Sequence, residues 1–298
     1  MFHSAFLSAF GAITLVLATL SAPVSAQPSE PIRVASKGFT ESIVIAEMMA
    51  EVLEAAGMKV DRKLGLGGTG VIHQALINGE IDTYPEYTGT ALLVQLKLPV
   101  NNDPSQVYET VKGEYAKRWD LVWLQPLGFN DTYALAMRRP DAQKQSIKSI
   151  SDLAAKAAGL TLGSTQEFLV RPDALPGLSK AYSLTFKATR GMDPGLVYQA
   201  ITGNSVDVIS VFTTDGRIKA SDLVVLDDDK RFFPPYYLTP VIRKKVIDAN
   251  PKVANALNTL AGKFTEAEMI EINSAIDQEK RSARDVAREI LKQKKIIP

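Results

Sequence analysis

The strongest constraint in this chain is an internal repeat. Ala75-Leu76-Ile77-Asn78-Gly79-Glu80-Ile81-Asp82-Thr83-Tyr84-Pro85-Glu86-Tyr87-Thr88 aligns without a gap to Ala200-Ile201-Thr202-Gly203-Asn204-Ser205-Val206-Asp207-Val208-Ile209-Ser210-Val211-Phe212-Thr213, at a constant offset of 125. Both copies read helix, turn, strand, aromatic residue, threonine. Strand patterns over 32–36 and 160–164 also match, each ending in a serine at the start of a helix. A chain that repeats one βα unit in this way builds two similar lobes. Tyr87 and Phe212 then take equivalent places past the C-terminal ends of strands, where open α/β sheets bind ligands.

Around the repeat, short apolar runs alternate with helical patterns, which predicts an α/β fold with largely parallel strands. Ile45, Met48, Met49, Val52, Leu53 and Ala56 fall on one helical face and stop at Gly57, so those methionines are core. The next strand, over 58–64, contains Asp61, Arg62 and Lys63 and suits a sheet edge. A glycine loop over 65–70 leads into a helix over 71–78 and a strand over 81–84. Further strands are expected over 133–137, 160–164, 206–212, 223–227 and 237–243. Ser149 with Asp152, and Ser164 with Glu167, read as capping-box starts, and Asp193 before Pro194 reads as an N-cap. From Pro251 onward the pattern is helical and charge-rich, with Thr265 and Glu268 opening one segment; a solvated helical cover is expected.

Residues 6–20 are apolar and uncharged, too short for the roughly 20 residues of a membrane-spanning helix. Val24 and Ala26 supply the small residues of a secretory cleavage site. A signal peptide over 1–26 is therefore expected, with a periplasmic mature chain from Gln27. No cysteine follows for lipid attachment, so a lipoprotein is not expected. The full sequence has 0 cysteines, which removes disulfides, thiol nucleophiles and thiolate metal sites. With His3 in the leader, His73 is the remaining histidine and sits inside a helical pattern, a poor basis for a Ser-His-Asp arrangement or a metal centre. Asp82 and Asp207 occupy matched positions in the two repeats, which suits strand-end structure better than paired-acid chemistry. A net charge of +1 gives nucleic acid no electrostatic hold.

Gly65, Gly67 and Gly70 satisfy G-x-G-x-x-G and open a helix, so a dinucleotide fingerprint comes into question. That fingerprint follows a buried first strand, whereas this loop follows the polar second one. A tight turn presenting backbone N–H groups explains it. The aromatic residues carry more information. Tyr84, Tyr87, Phe129, Tyr133, Phe212, Phe232, Phe233, Tyr236 and Tyr237 fall at element ends or lobe crossings, where rings can line a cleft. Aromatic faces without a metal or a nucleophile suggest cation–π capture of a quaternary ammonium.

Three segments, Ser36-Lys37-Gly38-Phe39-Thr40-Glu41, Gly79-Glu80-Ile81-Asp82 continuing to Tyr84-Pro85-Glu86-Tyr87-Thr88-Gly89-Thr90, and Phe212-Thr213-Thr214-Asp215-Gly216-Arg217-Ile218, resemble the glycine betaine/choline (osmoprotectant) substrate-binding proteins of ABC importers. The likeness covers nearly all of the mature chain, and YPEYTGT is its most specific part. It implies a two-lobed, type II periplasmic-binding-protein fold of the α/β class, with the ligand in the cleft between lobes. The interrupted repeat divides the chain into lobe one, 27–131 with 237–298, and lobe two, 132–236. Carried over position by position, the aromatic box is Tyr87, Tyr133, Phe212 and Tyr236, and the partners of a ligand carboxylate are Lys37, Thr90 and Arg171. The family usually has tyrosine at Phe212; phenylalanine keeps the π face and loses the hydroxyl.

The resemblance implies a non-enzymatic, monomeric protein without a cofactor that delivers a small ligand to a permease in the inner membrane. Lys37 and Arg171 favour a carboxylate-bearing ligand such as glycine betaine over choline. Carnitine, proline betaine and ergothioneine are alternatives, and a nucleotide-dependent enzyme using the glycine loop is the alternative of another class.

Overall fold

In the computed structural model, which describes residues 1–2 and 30–298, ten strands are described. In chain order these are β1 Ile32–Ala35, β2 Val60–Lys63, β3 Thr83–Tyr87, β4 Leu121–Trp123, β5 Tyr133–Arg138, β6 Thr161–Ser164, β7 Ala188–Gly191, β8 Val208–Phe212, β9 Leu223–Val225 and β10 Leu238–Arg243. They form two five-stranded sheets, β2-β1-β3-β10-β4 and β7-β6-β8-β5-β9. Position by position the two orders are the same, as the repeat predicts. Residues Pro31–Pro298 make one compact unit. The signal peptide expected over 1–26 falls outside the described residues, Met1 and Phe2 apart. Among the described residues no helix is long and apolar enough to cross a membrane.

Each sheet is mixed, which corrects the expectation of largely parallel strands. β1 lies parallel to β2 and β3, whereas β10 is antiparallel to β3 and β4. The second sheet repeats this, with β6 parallel to β7 and β8, and β5 antiparallel to β8 and β9. The chain leaves the first sheet after β4 and returns as β10, so the inserted strand arrives from the opposite direction. β2 is an edge strand, in keeping with its charged sequence.

The repeat is visible down to single hydrogen bonds. Asp82 donates its N–H to the Arg33 carbonyl at 2.9 Å and accepts the Arg33 N–H at 3.0 Å. Asp207 does the same with Thr161, at 2.9 and 2.8 Å. Each aspartate thereby ties its strand to the parallel neighbour beside it, β3 to β1 and β8 to β6. This anchoring starts β3 at Thr83 rather than 81, so the YPEY segment lies inside a central strand. Pro85 is tolerated there because it stands opposite Pro240, and neither has an N–H to donate.

The helices include α1 Thr40–Ala55, α2 Thr69–Asn78, α3 Gln166–Val170, α4 Glu266–Asp277 and α5 Ala283–Gln293. α1 buries Ile45, Met48, Met49, Val52 and Leu53 and ends at Gly57, whose φ of +83° suits the left-handed turn. The Ser149 and Thr265 capping boxes both form. The third expected box does not. Thr165, one residue on, caps α3 through the Phe168 N–H at 3.2 Å, and Ser164 bonds Ser210 Oγ at 2.5 Å instead. Asp193 precedes a helix opened by Pro194, but its side chain makes no cap bond. The C-terminal helices do more than face solvent: Arg284 and Arg288 of α5 reach the buried Glu51 of α1 at 2.9 and 3.0 Å.

Candidate functional site

The two crossings between the sheets run side by side. Asp131 donates its N–H to the Tyr236 carbonyl at 3.1 Å, and Asn130 Oδ1 accepts the Tyr236 N–H at 2.7 Å. Beside these crossings, strand ends from both sheets converge. Tyr87 is the last residue of β3 and Phe212 the last of β8, while Tyr133 opens β5 directly opposite Phe212. Their rings form a continuous wall. Tyr87 and Phe39 lie 6.2 Å apart between centroids, Phe39 and Phe212 5.1 Å, Phe212 and Tyr133 4.8 Å, and Tyr133 and Tyr236 5.9 Å.

This wall bounds a cavity of about 280 Å³. Lys37, Tyr87, Thr90, Tyr133, Arg171, Phe212 and Tyr236 all line it, so every site residue expected from the sequence is brought to one place. Phe39 was missed. It lies between Tyr87 and Phe212, the two rings that the repeat makes equivalent. The signal was its position two residues after Lys37, within the first segment of the resemblance.

The charges are arranged in a way the sequence did not reveal. Lys37 Nζ lies 2.6 Å from Glu86 Oε1, and both side chains are buried. Glu86 also accepts the Tyr84 hydroxyl at 3.0 Å and the Tyr87 N–H at 2.7 Å. Arg171 holds Asp173 through two bonds, Nε to Oδ1 at 2.8 Å and Nη2 to Oδ2. Its Nη2 also donates to Thr90 Oγ1 at 3.1 Å, and Nη1 donates to Glu167 Oε1 at 3.2 Å. Asp173 in turn accepts the Tyr236 hydroxyl at 2.8 Å.

Each cation therefore has its own carboxylate. Preference for a ligand carboxylate would rest on hydrogen-bond donors rather than on net positive charge. Burial pushes the Glu167 carboxyl up, but the charges of Lys37 and Arg171 outweigh it and hold its pKa below the ordinary value. Glu167 is thus an anion within the cavity lining. Burial foremost raises the Tyr87 and Tyr236 phenols, which stay neutral hydrogen-bond donors to Glu41 and Asp173.

Two glycine positions are explained by close approach. A Cβ on Gly68 would meet Glu167 Oε2 at 3.1 Å, so the glycine loop makes room for a carboxylate from the other sheet's side at the start of α2. A Cβ on Gly89 would meet the Tyr236 ring and the Pro235 carbonyl, each at 2.8 Å. The glycine of YPEYTGT thus seats an aromatic wall residue from the return crossing. His73 stands apart from the cavity lining. It packs against Trp119 and Tyr115 at 4.6 and 5.2 Å, with both ring nitrogens buried and without hydrogen-bond partners among the described residues. Burial, with the nearby Lys37 charge, pushes its pKa down to about 4. Among the described residues no cluster of histidine and acidic side chains could hold a metal ion.

Residues 30–293 match the family described as the substrate binding domain of an ABC-type glycine betaine transport system. The chain is 38% identical over 286 residues to the ergothioneine transport permease/ergothioneine binding protein of Helicobacter pylori; the match takes in 96% of this chain but 51% of that protein, about half its length. It is 36% identical to the glycine-betaine-binding protein of Pseudomonas aeruginosa, over 90% of this chain and 89% of the relative. Among solved structures it is similar to one described as a glycine betaine/carnitine/choline ABC transporter, with a TM-score of 0.71, 32% identity, and coverage of 89% of this chain and 99% of that one. The two-lobed α/β architecture is the type II binding-protein fold that the resemblance implied.

Proposed function

The chain belongs to the family of substrate-binding domains of ABC-type glycine betaine transport systems, and we propose that it captures a small trimethylammonium compound in the Tyr87–Phe39–Phe212–Tyr133–Tyr236 wall and delivers it to a membrane permease. The observation that carries this reading is the meeting of rings from both sheets around one cavity whose two cations are already neutralised by buried carboxylates. Aromatic faces attract a desolvated quaternary ammonium by roughly 2 kcal/mol or more. A cavity of about 280 Å³ lies near the lower end of the roughly 300–1,000 Å³ typical of small-molecule sites.

Glycine betaine is the first candidate ligand, with Thr90 and Arg171 as donors to its carboxylate, and the related ligands ergothioneine and carnitine follow. The pairing of Lys37 with Glu86 and of Arg171 with Asp173 favours a second reading. Because the cations are neutralised, a ligand without a carboxylate, such as choline, meets no net repulsion there. In either reading the protein turns nothing over. It works as a monomer outside the cytoplasm after loss of residues 1–26, without a lipid anchor. Lobe one, 27–131 with 237–298, and lobe two, 132–236, close by hinge motion at the crossings.

Titration calorimetry of the purified chain against glycine betaine, choline, carnitine, ergothioneine and unmethylated amino acids tests this. Trimethylammonium compounds should bind, and the amino acids should not. Heat from none of the methylated ligands would overturn the proposal, and choline binding as tightly as glycine betaine would favour the second reading.

A further inference from the structure

Behind the aromatic wall lies a second constellation that cavity lining alone does not explain. Glu41, 3% exposed, accepts the Tyr87 hydroxyl at 2.8 Å on Oε1, and the Thr214 hydroxyl at 2.6 Å and Asn273 Nδ2 at 3.1 Å on Oε2. Tyr87 belongs to β3 and Asn273 to α4, whereas Thr214 follows β8 of the other sheet. Asp131, on the outgoing crossing and also 3% exposed, accepts the Thr214 N–H at 3.2 Å on Oδ1 and lies within hydrogen-bonding reach of Glu41. Its Oδ2 is buried with no donor among the described residues. Two ionised carboxylates are acceptors only, so a contact between them requires a proton.

The charged groups packed around the pair are engaged elsewhere. After β8, Arg217 lies 2.6 Å from Asp215 and 3.3 Å from Asp277 of α4. Asp277 also accepts the Thr40 hydroxyl at 2.6 Å. Before α1, Lys37 is held by Glu86 of β3. Among the described residues no cation is paired with Glu41 or Asp131. Burial foremost raises the pKa of both carboxyl groups, and the Glu41 charge raises that of Asp131 further.

We propose that Glu41 is a positioning residue for ligand capture, sharing one proton with Asp131 beneath Thr214 of the facing lobe, which donates to both carboxyl groups, so that closure takes up a proton. In an opened cleft the two carboxyl groups would be hydrated and ionised at neutral pH. In the closed arrangement, two contacting buried negative charges are relieved by one proton. The single charge that remains sits beside the cavity that Asp131 lines, where it complements one quaternary ammonium. The ligand half of this inference rests on the function proposed above.

Calorimetry at neutral pH in two buffers of different ionisation enthalpy tests it, with glycine betaine and ergothioneine as the probes. For whichever binds, the observed enthalpy should depend on the buffer with a slope on the order of one proton taken up per ligand. Glu41→Gln, or Asp131→Asn if the first does not fold, should bind with that slope lost. Equal enthalpies in both buffers for the unmodified protein would overturn the proposal while leaving the ligand assignment intact. If neither probe binds, carnitine and choline replace them in the same two buffers; if none of the four binds, the functional reading fails and thermal melting of the ligand-free protein decides the proton. A group with a raised folded-state value stabilises at low pH and loses that contribution as the pH rises through it. The melting temperature should then fall more steeply with rising pH for the unmodified protein than for Glu41→Gln. Parallel curves would overturn it.

Discussion

Arg171 Nη2 donates to Thr90 Oγ1 at 3.1 Å, joining two residues 81 positions apart and on opposite sides of the cleft. The same guanidinium grips Asp173, which holds the Tyr236 hydroxyl. One side chain therefore links the wall of rings, the crossing segment and the contact between lobes.

Replacing Arg171 should for that reason cost stability as well as affinity. Arg171→Ala leaves Asp173 buried and uncompensated, and breaking such a pair costs about 3–5 kcal/mol. Arg171→Ala with Asp173→Asn should recover most of the melting temperature while a zwitterionic ligand still binds weakly. Full recovery of ligand affinity in the double variant would show that Arg171 acts through folding alone.

Phe212 supplies a ring face stacked on Phe39 and tilted against Tyr133. Phe212→Ala should weaken binding of a trimethylammonium ligand by about 1–2 kcal/mol. Phe212→Tyr should preserve or strengthen it. Titration of the three proteins with one ligand, alongside their melts, separates a lost contact from a damaged fold. Unchanged affinity in Phe212→Ala would remove this ring from the site.

Gly89→Ala should disturb Tyr236 without touching the ligand. Its methyl group would overlap the Tyr236 ring and the Pro235 carbonyl, and overpacking of this kind costs about 1–3 kcal/mol. Affinity and melting temperature should both drop. A crystal structure of the variant with Tyr236 unmoved would contradict this account.

His73 gives a pH prediction separate from the ligand. Its folded-state pKa is depressed from 6.5 to about 4. The stability from keeping it neutral is full above about 6.5 and is lost as the pH falls toward 4, because the unfolded chain takes the proton first. The melting temperature of His73→Phe should decline less over that window than that of the unmodified protein. Identical slopes would mean that the ring takes a proton in place.

Much of the architecture was legible because the repeat operates at short range. A βα unit is set by apolar spacing and turn residues, so its second copy at an offset of 125 announced a second, similar sheet. The residues that line the cavity were legible through the resemblance, since strand-end aromatics such as Tyr87 and Phe212 lie where open sheets bind ligands. Strand polarity was not legible. The direction of β10 depends on a crossing more than a hundred residues after β4, and no local pattern records it.

Local pattern along the chain set the doubled α/β plan, the core face of α1, the charged edge at β2 and the aromatic character of the site. Tertiary structure alone decided the electrostatics. Lys37 meets Glu86 across 49 positions, Arg171 meets Thr90 across 81, and Glu41 meets Thr214 across 173. Whether a lysine or arginine presents a bare charge to a ligand depends on which carboxylate folding places within hydrogen-bonding distance. Chain closure sets that partner over separations where composition and spacing carry no signal, and burial then makes each pairing count, because the low-dielectric interior penalises any charge left alone.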